Sequence, residues 1–396
     1  MNMGRTCAAV MVFCWAGLCH GENTPHKTGK YRIGFDKRSP LSSREEMVRR
    51  KVGQGEALFL RSLADLPKAL RTILQPDFGL LHRSDAILHL HRRHGDIDVY
   101  FVTNNSESPQ ENTATFRVGR KIPELWNAET GECRAAPVYA LEKEGVRIPL
   151  RLKSYESAFY VFREIAEPVH VIETNAEEIV SEGPKVVCRL AGNGTCYIHT
   201  SAPSGKPRRL ESPIKDLPAP LDVTGEWRVT FEAYKFPKLV KQMTVLQSWT
   251  DNPDIRHFSG TARYELEFEV PANYLGKGRK LLLDLGTVAD ASKVFVNGHP
   301  AGVTWKRPHQ HEVTKWITPG RNFLEVRVSN RLINAVGGMK RPEWVDKVIE
   351  KYGAYNERRE WYDTNVREYG TEDIPLAGLL GPVRLIALQE AEFILA

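Results

Sequence analysis

A chain of 396 residues with 26% charged and 41% hydrophobic side chains has the composition of a soluble globular protein with room for two or three domains, which excludes long disorder. Its 55 basic and 49 acidic residues leave a net charge of +6 that is spread along the chain. A nucleic-acid-binding protein gathers such an excess into one patch, so that class is excluded too.

At the N-terminus, Arg5 precedes an apolar stretch, Cys7–Leu18, that has the length of a signal-peptide core and is too short to span a bilayer. The sequence therefore predicts a leader over residues 1–21, an exported chain (secreted or periplasmic) and no membrane span. Cleavage after Cys19 or Gly21 would leave small residues at the scissile positions, and Leu18 before Cys19 argues against a lipoprotein anchor. A non-cleaved apolar start is the alternative. Glu22–Pro40 is polar and basic and reads as a tail. Leu58, Leu60, Leu63, Leu66, Leu70 and Leu74 then form a mostly helical stripe, with Pro67 near a helix start and an end before Gln75-Pro76. Residues 22–79 are thus expected to be a tail and an amphipathic helix.

From residue 80 the period changes to that of strands. Ala86–Asn104 reads as a hairpin turning at His94-Gly95-Asp96, and Thr115–Val118, Val138–Leu141, Val146–Leu152 and Ala158–Arg163 follow at sandwich spacing. They predict a first β-sandwich over residues 80–172. Residues 173–220 read as a strand-containing connection that ends in the linker Pro213–Pro220, whose three prolines disfavour both helix and central strand. The last domain, 221–396, has strands around Trp227–Phe231, Ala262–Val270, Lys280–Leu285, Lys293–Val296, Phe323–Ser329 and Val383–Ala387, and a tight turn at Asn297-Gly298. Within it, residues 341–370 turn charged and aromatic, with Pro342 suited to a first helical turn and Trp344, Val348 and Tyr352 at four-residue spacing. The fold class is all-β, mainly two β-sandwich domains.

Three of the six cysteines, Cys133, Cys188 and Cys196, follow the leader. Gly192-Asn193-Gly194 reads as a hairpin turn between Cys188 and Cys196, which could oxidise in an exported protein; two buried free thiols fit the pattern equally well. The odd count and the lack of a CxxC pair argue against zinc. His82, His89, His91 and His94 cluster, and His89 and His91 share a strand face, but no acidic or thiol partner is fixed beside them and no metal site is expected. No motif for a serine hydrolase, a nucleotide or a dinucleotide appears, and no cofactor is expected.

Glycoside hydrolysis needs two carboxyl groups flanking the bond. Asp96 and Asp98 sit at a hairpin exit and are expected to face solvent, Asp284 and Asp290 suit turn capping, and Glu343, Asp346, Glu357, Glu360 and Asp363 suit a solvated helical face. Sugar recognition instead needs an apolar ring against the C–H face of a pyranose, with polar groups for its hydroxyls. Trp249, Trp305, Trp316, Trp344 and Trp361 lie in the last domain, and Trp305-Lys306-Arg307-Pro308-His309 offers ring, cations and imidazole in one short span. The expected carbohydrate contacts are Trp305, Arg307, His309 and Trp249, with core packing as the alternative for each tryptophan.

The blocks FSGTARYELEFEVP (Phe258–Pro271), LDLGTVADASKVFVNGHPAGVTWKRP (Leu283–Pro308), PGRNFLEVRVSN (Pro319–Asn330) and AGLLGPVRL (Ala377–Leu385) resemble the sugar-binding jelly-roll domain of family 2 glycoside hydrolases. More narrowly, they resemble the version at the C-terminal end of large bacterial α-L-rhamnosidase-type enzymes. GQGEALFL (Gly53–Leu60), HRRHGDIDVYFVTNN (His91–Asn105), FRVGRKIPELWNAETGE (Phe116–Glu132) and RIPLRLKSYESAFYVFRE (Arg147–Glu164) resemble, in the same order, the segment before that jelly roll. The resemblance implies that residues 221–396 form a galactose-binding-like jelly roll with a helical insertion. The catalytic carboxylates of such enzymes lie in a barrel N-terminal to everything matched here, so no catalytic residue carries over. The expected function is an exported, non-catalytic carbohydrate-binding module whose partner is a rhamnose-containing polysaccharide. The alternatives are an active glycosidase with an unrecognised site, and a structural remnant or accessory chain that docks onto a separate catalytic chain.

Overall fold

The computed structural model describes residues 9–14, 32–36, 47–52, 55–60, 63–73 and 76–395, the last span without 144, 165–167, 203–205, 235, 341–342, 345–346, 348–349 and 351–372. The chain divides into two compact units, Met1–Gly79 and Leu80–Ala396. It is mostly strand with little helix, an all-β protein. Among the described residues no helix is long and apolar enough to cross a membrane.

In the first unit, Arg32–Asp36, Ala9–Cys14, Gly55–Leu60 and Met47–Val52 form, in that order, a four-stranded antiparallel sheet. Ala9–Cys14, the centre of the stretch expected as a leader, is an inner strand, and Arg32–Asp36 is a strand within the expected tail. The helix is shorter than the leucine stripe. Leu58 and Leu60 belong to the Gly55–Leu60 strand, and the α-helix spans only Leu66–Ile73. Leucines two apart share a strand face, whereas those four apart share a helix face, and the stripe contains both spacings. Pro67 falls in the first helical turn, where its missing N–H costs no hydrogen bond. Leu58, Leu60 and Ala69 are buried together.

The second unit holds two sandwiches. In the first, Cys133–Ala135, Ile122–Trp126, Ser157–Glu164, Ile97–Asn104 and Ile87–His94 form a five-stranded sheet, in that order. A second sheet includes Ala140–Leu141, Val146–Leu152 and Gln110–Phe116. In Val146–Leu152 the alternation is complete: Val146, Ile148, Leu150 and Leu152 are buried, and Arg147, Pro149 and Arg151 point out. Phe116, from this sheet, meets Tyr100 and Phe162 of the other at 4.9 and 5.1 Å between ring centroids, which marks the core between them.

The second sandwich pairs two larger sheets. One runs Phe236–Met243, Trp227–Ala233, Thr261–Val270, Gly320–Ser329, Ala291–Val296, His299–Thr304; the other runs Glu178–Glu182, Lys185–Leu190, Arg384–Ile394, Arg279–Asp284, Gln310–Glu312, with Leu221–Asp222 also on Arg384–Ile394. Thr261–Val270 and Gly320–Ser329 stay in register along their whole length, from Thr261↔Ser329 to Val270↔Gly320. Tyr264, Leu324, Val326, Leu281, Leu283 and Leu385 fill the space between the sheets. At Asn297-Gly298, both with positive φ (51° and 81°), the chain turns tightly so that Val296 faces His299, as the dipeptide indicates.

Two local readings change. Glu178–Leu190, expected within a connection, is a hairpin added to the second sandwich through Lys185↔Ile394 to Leu190↔Gln389, a pairing across about half the chain that no local pattern reveals. Gly192-Asn193-Gly194 does not close a hairpin. Lys185–Leu190 pairs with Glu178–Glu182 and Arg384–Ile394, whereas Gly194–Thr200 pairs with Val171–Thr174 and Arg209–Ile214. The chain steps here from one sheet to another, pinned by Asn193, whose amide donates to Leu217 O (3.0 Å) and accepts from Leu217 N (2.9 Å). Of the helical insertion expected at 341–370, Glu343, Trp344, Lys347 and Glu350 are described, all helical; its other residues, Trp361 among them, lie outside the described residues.

Candidate functional site

The Trp305–Pro308 segment leaves the edge strand His299–Thr304 and is fixed at both ends. Thr304 Oγ1 lies 2.8 Å from Ser292 Oγ and 2.9 Å from His309 Nδ1, and His309 O accepts from Leu285 N at 2.9 Å. Between these anchors Trp305 stands 66% exposed. It forms one wall of a cleft of about 1140 Å³ between the two sandwiches of the Leu80–Ala396 unit. Phe101, Tyr155 and Phe159 line it from the first sandwich, and Thr287–Asp290, Trp305–Arg307 and Arg331 from the second.

The aromatic floor follows from strand register. Tyr100, Val102 and Tyr160 point into the core, so Phe101 and Phe159, their neighbours, must point out. Leu90↔Phe101, Phe101↔Phe159 and Phe159↔Trp126 are direct partners, which sets one apolar row across four strands of the sheet. The Phe101 and Phe159 rings are 5.0 Å apart. Sequence reading did not single out these two phenylalanines. Their signal was present in the doublets Tyr100-Phe101 and Phe159-Tyr160, where one aromatic of each pair has to face outward.

The charged groups of the cleft are paired. Lys306 Nζ meets a Glu129 carboxylate oxygen, Arg307 Nη1 lies 3.6 Å from Glu107 Oε2, and Arg331 Nε donates to Asp290 Oδ2 at 3.1 Å. The first two pairs tie one sandwich to the other. Lys306 also lies over the Trp305 ring, 5.9 Å from its centroid. Such a cleft offers ring faces for the C–H surface of a sugar and charged hydrogen-bonding groups for its hydroxyls.

Of the four expected contacts, Trp305 and Arg307 meet in this cleft. His309 reaches it only from beneath: its residue is 1% exposed. Burial, with His311 and Arg307 nearby, pushes its imidazole down to about 4 from the usual 6.5. A histidine with a depressed folded pKa stabilises the fold above its unfolded pKa and loses that contribution as pH falls through the folded one. Stability should therefore drop between pH 6.5 and 4, by about 3 kcal/mol if this group acts alone. His309→Gln should flatten that part of the profile in urea unfolding at stepped pH, and an unchanged slope would remove His309 as its source.

Trp249 is corrected from a sugar contact to a core residue. It opens a short 3-10 turn, Trp249–Asp251, whose cap Ser248 accepts from Thr250 N at 3.2 Å. That turn drives the ring inward, fully buried, with centroids 5.4 Å from Phe231 and 5.2 Å from Phe258. Its Nε1 donates to the Tyr264 hydroxyl at 2.6 Å, and Leu379 N donates to the same oxygen at 3.2 Å. Burial pushes that hydroxyl up to about 12. QSWTDNP carries no periodicity from which the direction of the ring could be read.

Asp98 is also corrected. It is buried rather than solvent-facing, accepts from Lys121 Nζ at 2.7 Å and lies 3.0 Å from His91 Nε2, while Asp96 is exposed. His91 in turn stacks on Tyr100 with centroids 4.0 Å apart. Asp284 takes the expected turn role, accepting from Gly286 N at 2.8 Å and from Gln310 Nε2 at 2.9 Å. Among the described residues no group of three or more His, Cys, Asp or Glu is placed to hold a metal ion.

Residues 41–140 match a family model described as alpha-L-rhamnosidase. A putative beta-glucuronidase of Formosa agariphila is 31% identical over 199 residues, which cover 46% of this chain and 17% of that protein. The solved rhamnosidase of Novosphingobium sp. PP1Y superposes with a TM-score of 0.54 at 28% identity, covering 86% of this chain and 27% of that one. The beta-glucuronidase of Ruminococcus gnavus gives a TM-score of 0.25 at 22% identity over 28% of this chain and 21% of that one, too low to add to the argument. This chain thus spans 17% and 27% of the length of the first two relatives. It is related to rhamnosidase-like glycoside hydrolases.

Proposed function

We propose that this chain is an exported carbohydrate-binding module of the rhamnosidase type, non-catalytic by itself, whose second sandwich works as a galactose-binding-like jelly roll. The observation that carries the reading is Trp305, held 66% exposed on a loop pinned at both ends, above a cleft floored by Phe101 and Phe159. A large aromatic ring kept out of the core is a binding surface in search of an apolar face, and the C–H face of a pyranose supplies one. Each carboxylate named in the cleft, Glu107, Glu129 and Asp290, already engages a cation, whereas glycoside hydrolysis needs one carboxyl free to donate a proton and a second free to attack or to activate water. The relation to rhamnosidases makes a rhamnose-containing polysaccharide the first ligand to try.

Retention on gels cast with rhamnose-containing polysaccharides, beside release of nitrophenol from aryl α-L-rhamnosides, tests the reading. Retarded migration without turnover is the expected result. Turnover above that of a denatured control would make the chain an enzyme, and migration equal to that in sugar-free gels would remove the binding reading.

A further inference from the structure

We propose that Cys188 and Cys196 are a redox pair that closes into a disulfide joining two sheets of the second unit. Cys188 lies on the Lys185–Leu190 strand, between Ile179 and Ala391 of its own sheet; Cys196 lies on Gly194–Thr200, opposite Ser212 in a different sheet. Only Ala191, Gly192 and Asn193 separate the two strands, and Asn193 is pinned by its two bonds to Leu217. Alternation turns Val186 and Cys188 inward from one strand and Cys196 and Ile198 inward from the other. Both cysteines are wholly buried in one core cluster with both thiols free, and each thiol is near enough to perturb the ionisation of the other. Neighbouring inward-facing thiols whose Cβ atoms stand about 3.5–4.5 Å apart reach disulfide geometry by side-chain rotation.

The contact is asymmetric. The neighbouring Cys188 thiol holds Cys196 below its usual range, while the Cys196 thiol and burial push Cys188 above it. Cys196 is therefore the better nucleophile of the two. With a small-molecule disulfide such as oxidised glutathione, the Cys196 thiolate attacks one sulfur and expels one glutathione thiolate. Cys188 then loses its proton and attacks the Cys196 sulfur of the mixed disulfide, and the second glutathione leaves. Two protein thiols are oxidised and one glutathione disulfide is reduced to two thiols. Burial assigns this exchange to folding, or to local opening around Gly192–Gly194.

The test uses the full chain in two arms, one native and one reduced, unfolded and refolded, both held in excess oxidised glutathione, then denatured, alkylated, digested and weighed by mass spectrometry. The expected product in at least one arm is a Cys188–Cys196 linked peptide pair about 2 Da lighter than the sum of the two thiol peptides. Exposed Cys133 is the internal control, since it can take up glutathione but has no described thiol partner. Cys188 and Cys196 alkylated separately in both arms, with glutathione on Cys133, would overturn the proposal. Cys188→Ser should leave Cys196 alkylated or glutathionylated, and a cross-link from Cys196 to any other cysteine in that variant would likewise overturn it.

Discussion

Trp249→Ala should cost about 3–5 kcal/mol in urea unfolding, enough to threaten folding of the last sandwich at physiological temperature. The ring is fully buried against Phe231 and Phe258, and its removal leaves a hole that those two side chains cannot both collapse into. It also strips the Tyr264 hydroxyl of its Nε1 donor, leaving Leu379 N on that oxygen. Trp249→Phe separates the two effects, because it keeps most of the packing and loses only the donor; about 1–3 kcal/mol is expected. Gly378 supports the same picture from the other side: its φ of 105° and the closeness of the Trp249 indole leave no room for a Cβ. A Trp249→Ala chain that unfolds at the wild-type urea concentration would mean that the Trp249 ring does not support the core.

Trp305→Ala should do the reverse. Trp305 is 66% exposed, so removing it changes little core packing and stability should stay within about 0.5 kcal/mol of wild type. Polysaccharide binding should fall by about tenfold or more, because a stacked ring contributes both its buried apolar area and its geometry. Arg307 is a weaker test at the same rim, since its pairing with Glu107 also ties the two sandwiches together. Near-normal binding by a well-folded Trp305→Ala chain would mean that sugar, if bound, sits elsewhere.

The contrast between these tryptophans shows what could be read in advance. Where strands alternate, direction was legible: Val146–Leu152 and Thr261–Val270 follow their hydrophobic pattern residue by residue, and Gly320–Ser329 does so from Leu324 onward, after a buried Asn322 and an exposed Phe323. Asn297-Gly298 declared its turn because few other dipeptides tolerate two positive φ angles in sequence. Trp249 and Trp305 both fall in aperiodic segments, and there the sequence offered ring chemistry without direction. A 3-10 turn sent one ring into the core, while the anchors at Thr304 and His309 held the other out.

Long-range pairing was equally hidden. Nothing near Lys185–Leu190 announces that its partner is Arg384–Ile394, so residues 178–190 read as a connection and the Gly192–Gly194 step read as a hairpin. Leu58 and Leu60 were drawn into a helical stripe because leucine spacing alone does not separate period 2 from period 3.6 over so few turns. The cleft is a product of two sandwiches meeting. Phe101 and Phe159 belong to one and Trp305 to the other, and no single stretch of sequence contains the site.

Calorimetric titration of the full chain with a rhamnose-containing polysaccharide tests the central claim most directly, because one trace reports both binding and turnover. The proposed function requires saturable heat that returns to baseline after each injection. A sustained heat flow after each injection would mean bond cleavage and would make the chain an enzyme, and a trace equal to buffer dilution would mean that the Trp305 cleft does not hold this sugar.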